Sequence, residues 1–254
     1  MTQIGTKAWS DRTDGRLSTR EKLAMIGMVA RSVRRDVAER LRARLPGHAE
    51  RIRHVSLDAV PLPDSPIVER AREEAEDAYG GPLRRHCYRT YWWGALLAQV
   101  DGVRFDPEML LVASLLHDLG IAPDGAPVSK MCCFSVLGGR MAEAFLTANG
   151  YDARRAVAVN EAISTHLNPV VSAGERTIEA RLLAEGATLD VTGARSVNIP
   201  DAVLRSVDER YPRAGFIAEF ADTSLRAGHP PDTRPETLKH GFRQLVLRNR
   251  LDRM

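Results

Sequence analysis

The chain has 254 residues, a formal net charge of +3 and 44% hydrophobic residues. This length suits one large domain or a domain with an extension. No apolar run approaches the roughly 18 residues of a membrane-spanning helix, so we expect no membrane partner. The polar segment 1–16 lacks the apolar centre of a secretory signal, and we therefore expect a cytoplasmic protein.

Basic residues are concentrated near the N-terminus. Residues 1–53 hold 13 Lys+Arg and 6 Asp+Glu, whereas the remaining 201 residues hold 23 and 27. A basic segment can bind nucleic acid, but a solvated helix face explains it more simply, and we expect no nucleic-acid partner. The three cysteines form no CxxC pair, which favours reduced thiols over disulfides or a cysteine-based zinc site.

The first predicted helix begins at a capping box formed by Ser18 and Glu21. Hydrophobic residues then repeat every four positions from Met25 to Leu45, which predicts an apolar stripe along one helical face. Such a stripe packs either on the main domain or on a partner subunit, so a homodimer through this helix is one expectation. We accordingly predict a basic N-terminal helical extension over residues 1–60 and a second unit over residues 61–254.

The rest of the chain reads as one helix after another. Helix starts are predicted where proline follows a polar or glycine residue, and helix ends are predicted at glycine. The first three predicted helices begin at Pro66, Pro82 and Asp106-Pro107, and the later ones lie near 137–149, 152–166, 175–191, 200–211, 214–227 and 236–251, with a loop at 121–135. No segment alternates long enough to predict a strand, so the predicted fold class is all-α.

The dipeptide His117-Asp118 ends an apolar helix. A buried aspartate is costly unless its charge is compensated, and a metal ion compensates it directly. His86 and Asp190 lie on earlier and later predicted helices, so four side chains can surround one ion and leave positions for water. Each residue also has a plain structural interpretation, as a helix cap or a core histidine.

Six short segments occur in the order that one enzyme superfamily shows. They are HCYRTYWWG (86–94), LLHDLG (115–120), FSVLGG (134–139), AISTH (162–166), GATLDVTG (186–193) and YPR (211–213). This series resembles the HD superfamily of metal-dependent hydrolases, and its local detail resembles the cyanamide-hydratase-like branch. The resemblance extends over roughly residues 60–230 and leaves out the N-terminal helix.

The resemblance implies an HD-domain helical bundle, here with an extra N-terminal helix. It implies that His86, His117, Asp118 and Asp190 bind one divalent metal, zinc in the hydratases, with Fe²⁺ and Mn²⁺ as alternatives. His166 and Asp118 are the predicted catalytic residues, with His166 as a substrate or proton-transfer group. Predicted substrate contacts are Lys130, Phe134, Asn168 and Trp93, and predicted surface histidines are His48, His54, His229 and His240.

The first functional hypothesis is hydration or hydrolysis of a small, mostly uncharged carbon–nitrogen substrate such as a nitrile or cyanamide. Two departures from the branch bear on the substrate: Ser135 replaces a glutamate, and Ile121 begins a segment that lacks the threonine of cyanamide hydratases. The alternative is a metal-dependent phosphohydrolase acting on a nucleotide or another phosphomonoester, although Ile121 also replaces the acid of small HD nucleotidases. A diiron oxygenase needs more histidines than His166 supplies, and a non-catalytic adaptor would leave four polar residues buried without an ion.

Overall fold

The computed structural model describes residues 3–121, 130–171, 176–216 and 228–254, without the side chains of 240–243. Its α-helices are α1 (Lys7–Thr13), α2 (Thr19–Ala43), α3 (His48–Ile52), α4 (Pro66–Ala78), α5 (Gly81–Asp101), α6 (Pro107–Leu116), α7 (Phe134–Ala148), α8 (Ala153–Thr165), α9 (Ile178–Thr192), α10 (Asp201–Arg210) and α11 (Arg234–Val246). Short 3₁₀ turns cover Ser196–Asn198 and Arg250–Arg253. The described residues contain no strand, so the all-α prediction is confirmed.

Local signals in the sequence explain where most of these helices begin and end. The Ser18 side chain accepts from the Glu21 backbone N–H while the Glu21 carboxylate accepts from Ser18, which is the predicted capping box. Asp106 caps α6, and a proline stands in the first turn of α4, α5 and α6. The predicted helix 214–227 falls mostly outside the described residues, as does most of the predicted loop 121–135.

Helices α5 and α9 cross at the centre of the core, and two glycines allow their close approach. A Cβ atom on Gly186 would lie 2.4 Å from the Thr90 carbonyl oxygen, and one on Gly94 would lie 2.9 Å from the Leu182 carbonyl oxygen. Only glycine tolerates contacts this short. The crossing brings His86 near the start of α5 against Asp190 near the end of α9.

Helix α2 departs from the predicted single apolar face. A four-residue step advances a helix by about 40° beyond a full turn, so five such steps rotate the stripe by about 200°. Met25 is accordingly fully buried at one end, whereas Leu41 is 56% exposed at the other. The inner face is held partly by polar contacts, in which Asp36 and Glu39 accept from Arg195. The outward apolar residues are Leu23, Ile26, Val33, Val37, Leu41 and Leu45.

The residues before α2 pack on helices that flank the predicted site. The sequence did not predict α1, whose Trp9 is fully buried and donates to Glu21. The Thr165 hydroxyl donates to the Gly5 carbonyl, and the Cys133 N–H donates to the Asp14 carbonyl. None of the three cysteines is in a disulfide. Within the described ranges, no helix combines the length and apolar character needed to cross a bilayer.

Candidate metal centre

The His117-Asp118 pair lies just beyond the last residue of α6, at the buried end of that helix. His117 is the C-cap residue, and its Nδ1 donates to the Ser114 carbonyl oxygen at 2.7 Å. A carbonyl only accepts, so the proton resides on Nδ1 and Nε2 presents a lone pair. Burial, above all, lowers the pKa of His117, which keeps the ring neutral at pH 7.

His86 completes a group of three buried side chains around one point. Its Nδ1 contacts Asp190, and its Nε2 lies 3.3 Å from the His117 Nε2. The Asp118 Oδ2 atom lies 3.3 Å from the His117 Nε2 and 3.8 Å from the His86 Nε2. The three atoms therefore lie within 4.8 Å of one another, with every contributing residue buried.

This arrangement fits a divalent metal. Two ligand atoms that each lie about 2.1 Å from a tetrahedral zinc ion are about 3.4 Å apart, close to the spacings found here. The Asp118 Oδ2 atom is buried without a hydrogen-bond partner in the described part of the chain. A buried carboxylate oxygen in that state is costly, and a cation between the three atoms removes the cost.

Asp190, the fourth predicted ligand, lies on the other side of the His86 ring. Its Oδ2 accepts from the His86 Nδ1 at 2.7 Å, and the same carboxylate receives donors from Arg89, Trp93 and Arg213. Burial alone would raise the pKa of Asp190, but Arg89, Arg213 and His86 hold this pKa well below its usual range. Asp190 is thus an ionised carboxylate behind the metal-facing group, and its role as a direct ligand stays a prediction.

His166 stands next to the three-residue group. Its Nδ1 donates to the Ile163 carbonyl at 2.7 Å, and its ring meets the His117 ring edge-on with centroids 5.1 Å apart. Burial, followed by the influence of His117, lowers the pKa of His166 to about 3. The Phe134 ring lies 5.9 Å from the His166 ring, so this predicted substrate contact borders the site.

The remaining predicted substrate contacts occupy different surroundings. Asn168 is buried, and its side chain accepts from Arg234 and donates to the Ile4 carbonyl. Lys130 is exposed. Trp93 lies behind His86, where its indole N–H donates to Asp190 Oδ1 at 2.8 Å. Of these three, Asn168 lies nearest in the chain to His166, and a direct substrate contact of each stays a prediction.

Ser135, which replaces the glutamate of the branch, contacts a buried cation. The Ser135 hydroxyl accepts from the Arg234 Nη2 at 2.9 Å, and the guanidinium also lies over the Trp9 ring. Arg234 is fully buried and has no carboxylate partner among the described residues. Where the branch carries a glutamate, this chain therefore has a hydroxyl that contacts an arginine from helix α11. The sequence pattern did not indicate this contact.

Several residues near the centre were not predicted as functional. Phe216 stacks on the His86 ring with centroids 4.8 Å apart, and it also lies beneath the Arg89 and Arg213 guanidinium groups. The predicted surface position of His229 is wrong, because this residue is 9% exposed and its ring lies 5.8 Å from Phe134. Arg89 and Arg213 stand in the segments HCYRTYWWG and YPR, so their motifs were the available signal.

Comparisons with known proteins agree with this geometry. The HD domain family matches residues 83–190, the stretch from the start of α5 to Asp190. Two relatives from Saccharomyces cerevisiae, the cyanamide hydratases DDI2 and DDI3, are each 28% identical over 165 residues, which cover 64% of this chain and 72% of theirs. Together with the buried His-Asp group, the match of residues 83–190 to the HD domain and the similarity to these hydratases point to an enzyme of the metal-dependent hydrolase or hydratase kind.

Proposed function

We propose that the chain adds water to a small carbon–nitrogen substrate of the nitrile or cyanamide kind. The observation that carries the proposal is the buried Asp118 Oδ2 atom, which faces two imidazole nitrogens and has no hydrogen-bond partner among the described residues. Similarity to two cyanamide hydratases supports the choice of substrate class. Assays on cyanamide and on small nitriles decide which member of that class is the substrate.

His86, His117 and Asp118 would hold the metal, through two imidazole nitrogens and one carboxylate oxygen. We propose zinc, because three protein ligands of this kind with an open position are typical of catalytic zinc sites. Iron and manganese accept the same donors and are the alternatives. When bound, a divalent ion lowers the pKa of water and polarises the electrophilic carbon of the substrate.

His166 is the proposed proton acceptor of the site. Its Nδ1 is occupied by the Ile163 carbonyl, and its low pKa leaves Nε2 unprotonated at pH 7. This nitrogen can accept a hydrogen bond from the attacking water and orient it toward the substrate. The Phe134 ring borders His166 and would exclude bulk water from that side of the substrate.

Phosphomonoester hydrolysis is the second candidate, and one observation favours it. Arg234 is a buried cation without a carboxylate partner in the described residues, and such a group can bind an anion. The other arginines close to the centre, Arg89 and Arg213, are already paired with Asp190. The described residues therefore offer one such cation, whereas phosphate recognition ordinarily uses several.

The two candidates are separated by their products. Zinc-loaded protein should convert cyanamide to urea, measured by a urea assay, or small nitriles to amides, measured by chromatography of the amide. A nucleotide panel should release no inorganic phosphate above the metal-free control. Phosphate release without any carbon–nitrogen turnover would replace the first candidate by the second.

Substitution of His166 tests the proposed proton acceptor. His166→Gln should lower kcat by about 10²- to 10⁴-fold, the usual contribution of a positioned acid or base, while one equivalent of metal stays bound. His54→Gln is the matched control, because His54 is exposed and its ring forms a hydrogen bond with the Gln99 carbonyl, away from the metal-facing group. Unchanged kcat in His166→Gln would remove His166 from the mechanism.

The homodimer through α2 also stays a proposal. The outward residues of α2 supply an apolar surface, of which Leu41 and Val37 are about half exposed. Sedimentation of the wild-type protein should show a dimer, and Leu41→Glu should shift it to a monomer. A monomeric wild type at high micromolar concentration would contradict the proposal.

A further inference from the structure

We infer that Asp190 is a positioning residue that orients His86 for metal binding and does not itself touch the metal. This inference rests on the proposed metal centre and assigns a different task to one of its predicted ligands. The observations that carry it are the hydrogen bonds of the two carboxylates, Asp190 and Asp118, and the ring atom of His86 that each one faces.

The Asp190 carboxylate has no remaining site for a cation. Its Oδ1 accepts from the Arg89 Nε, the Trp93 Nε1 and the Arg213 Nη1, each at 2.8 Å. Its Oδ2 accepts from the His86 Nδ1 at 2.7 Å and the Arg89 Nη2 at 2.9 Å. A carboxylate offers about four lone-pair sites, so five donors fill it. A metal ion would have to displace a buried guanidinium or the indole.

The charges around Asp190 lead to the same conclusion. Two guanidinium groups, from Arg89 and Arg213, already face this single carboxylate in a fully buried position. A divalent cation placed beside them would be repelled at close range, where screening by solvent is weak. Asp118 is different, because its Oδ2 faces only imidazole nitrogens and has no hydrogen-bond partner in the described residues.

The two nitrogens of His86 are used for different purposes. Nδ1 donates to Asp190, which fixes the tautomer, and this leaves Nε2 pointing toward His117 and Asp118. A carboxylate behind a metal-binding histidine in this way sets the ring orientation and raises the basicity of the ligand nitrogen. Phe216 stacks on the ring and restrains its plane as well.

Part of the support for Asp190 comes from residues beyond the stretch 83–190. Its backbone carbonyl accepts from the Arg213 Nη1 at 2.7 Å and from the Asn249 Nδ2 at 2.8 Å. Arg213 is itself held by Asp252, and Arg89 donates to the Tyr211 carbonyl. The segments 211–213 and 249–252 therefore hold Asp190 in place, and through it they hold His86.

The direct test is a crystal structure of the zinc-loaded wild-type protein. We expect the Asp190 Oδ2 atom to remain at hydrogen-bond distance from the His86 Nδ1, with zinc on the opposite nitrogen of the ring. An Asp190 oxygen at about 2.0–2.2 Å from zinc would overturn the inference and leave the proposed function intact. A wild type that binds no zinc would overturn the proposed function and this inference with it.

Matched variants test the same point in solution. Asp190→Asn keeps an acceptor oxygen and should still bind one equivalent of Co²⁺ or Zn²⁺, with an affinity weaker by about 10- to 100-fold. Asp118→Asn should lose high-affinity binding altogether. In metal-free protein, nitrogen NMR of the rings should show the Nδ1–H tautomer of His86 in wild type and a mixture of both tautomers in Asp190→Asn, because an amide oxygen accepts more weakly than a carboxylate.

If Asp190 had a merely structural role, its replacement by Asn would leave the tautomer of His86 unchanged. Equal loss of metal binding in both variants would mean that Asp190 is a ligand. If Asp190→Asn fails to fold, Trp93→Phe removes one donor from Oδ1 and leaves the contact with His86 in place. This second variant should retain both the Nδ1–H tautomer and one bound metal, and loss of the tautomer would contradict the inference.

Discussion

The two sides of the His86 ring show how differently two buried carboxylates can be used. On the metal-facing side, Asp118 directs at the nitrogens of His86 and His117 an oxygen that has no hydrogen-bond partner in the described part of the chain. On the supporting side, Asp190 receives five donors and has no lone pair to spare. The first side is suited to bind a cation, whereas the hydrogen bonds of the second side leave no room for one. An aspartate therefore contributes metal affinity on one side of the His86 ring, and on the other side an aspartate holds the ring in place.

The largest effect expected from this comparison is on folding stability without metal. Asp190→Ala leaves the buried Arg89 without its carboxylate partner and Arg213 with Asp252 alone, and should lower the free energy of unfolding by about 3–5 kcal/mol. Asp118→Ala removes a carboxylate whose Oδ2 atom has no hydrogen-bond partner in the described residues, and should change this free energy by less than about 1 kcal/mol. Urea denaturation of both metal-free variants measures the difference. Equal losses would show that the two sides are not distinct.

The second largest effect on stability is expected from a substitution at the close contact between α5 and α9. Gly186→Ala places a methyl group 2.4 Å from the Thr90 carbonyl oxygen, so the helices must separate. We expect a loss of about 3 kcal/mol in the free energy of unfolding and weaker zinc affinity, because His86 and Asp190 lie on the two helices. Gly228→Ala is the control, since its added Cβ would meet open space. A Gly186→Ala variant as stable as this control would contradict the importance of the crossing.

The smallest expected effect is the dependence of stability on pH. The folded-state pKa of His166 is about 3, below that of an unfolded histidine, so the unfolded chain binds the proton more readily. The stability of metal-free protein should therefore be fully present above pH 6.5 and should fall as the pH drops toward 3. At pH 4.5 the titration of this residue should have lowered the free energy of unfolding by about 2.7 kcal/mol.

His166→Gln isolates that contribution from the titration of other groups. Its unfolding free energy should decrease less than that of wild type between pH 6.5 and pH 4.5, in parallel urea titrations. His54→Gln should follow the wild-type curve, because His54 is exposed. Identical curves for all three proteins would show that His166 is not held neutral by its surroundings.

Local sequence signals predicted one side of His86 better than the other. The caps, prolines and apolar runs that define α4 to α6 are contiguous in the chain, so His117 and Asp118 could be placed at the end of a buried helix. The donors around Asp190 come from positions 89, 93 and 213, and periodicity carries no information about contacts at such separations. Only the motif segments that contain Arg89 and Arg213 hinted at a shared role.

Other surprises have the same physical origin. Arg234 reaches Ser135 and Asn168 across 99 and 66 positions of sequence, and His229 is buried by packing near Phe134. The α2 stripe was assigned to one face because four-residue spacing resembles a helical repeat, but its 40° drift per step carries Leu41 to the surface. The boundary between residues 1–60 and 61–254 stays a prediction, although Gly5, Asp14 and Asp36 contact the second unit.

The central claim is that Asp118 and two histidines bind one divalent metal, and metal counting tests it most directly. Wild-type protein and Asp118→Asn, each equilibrated with zinc and then gel-filtered, should be measured by mass spectrometry of the metal. We expect one zinc per chain in wild type and almost none in the variant, with both proteins folded. A wild type without zinc, or a variant that retains one equivalent as tightly, would contradict the account.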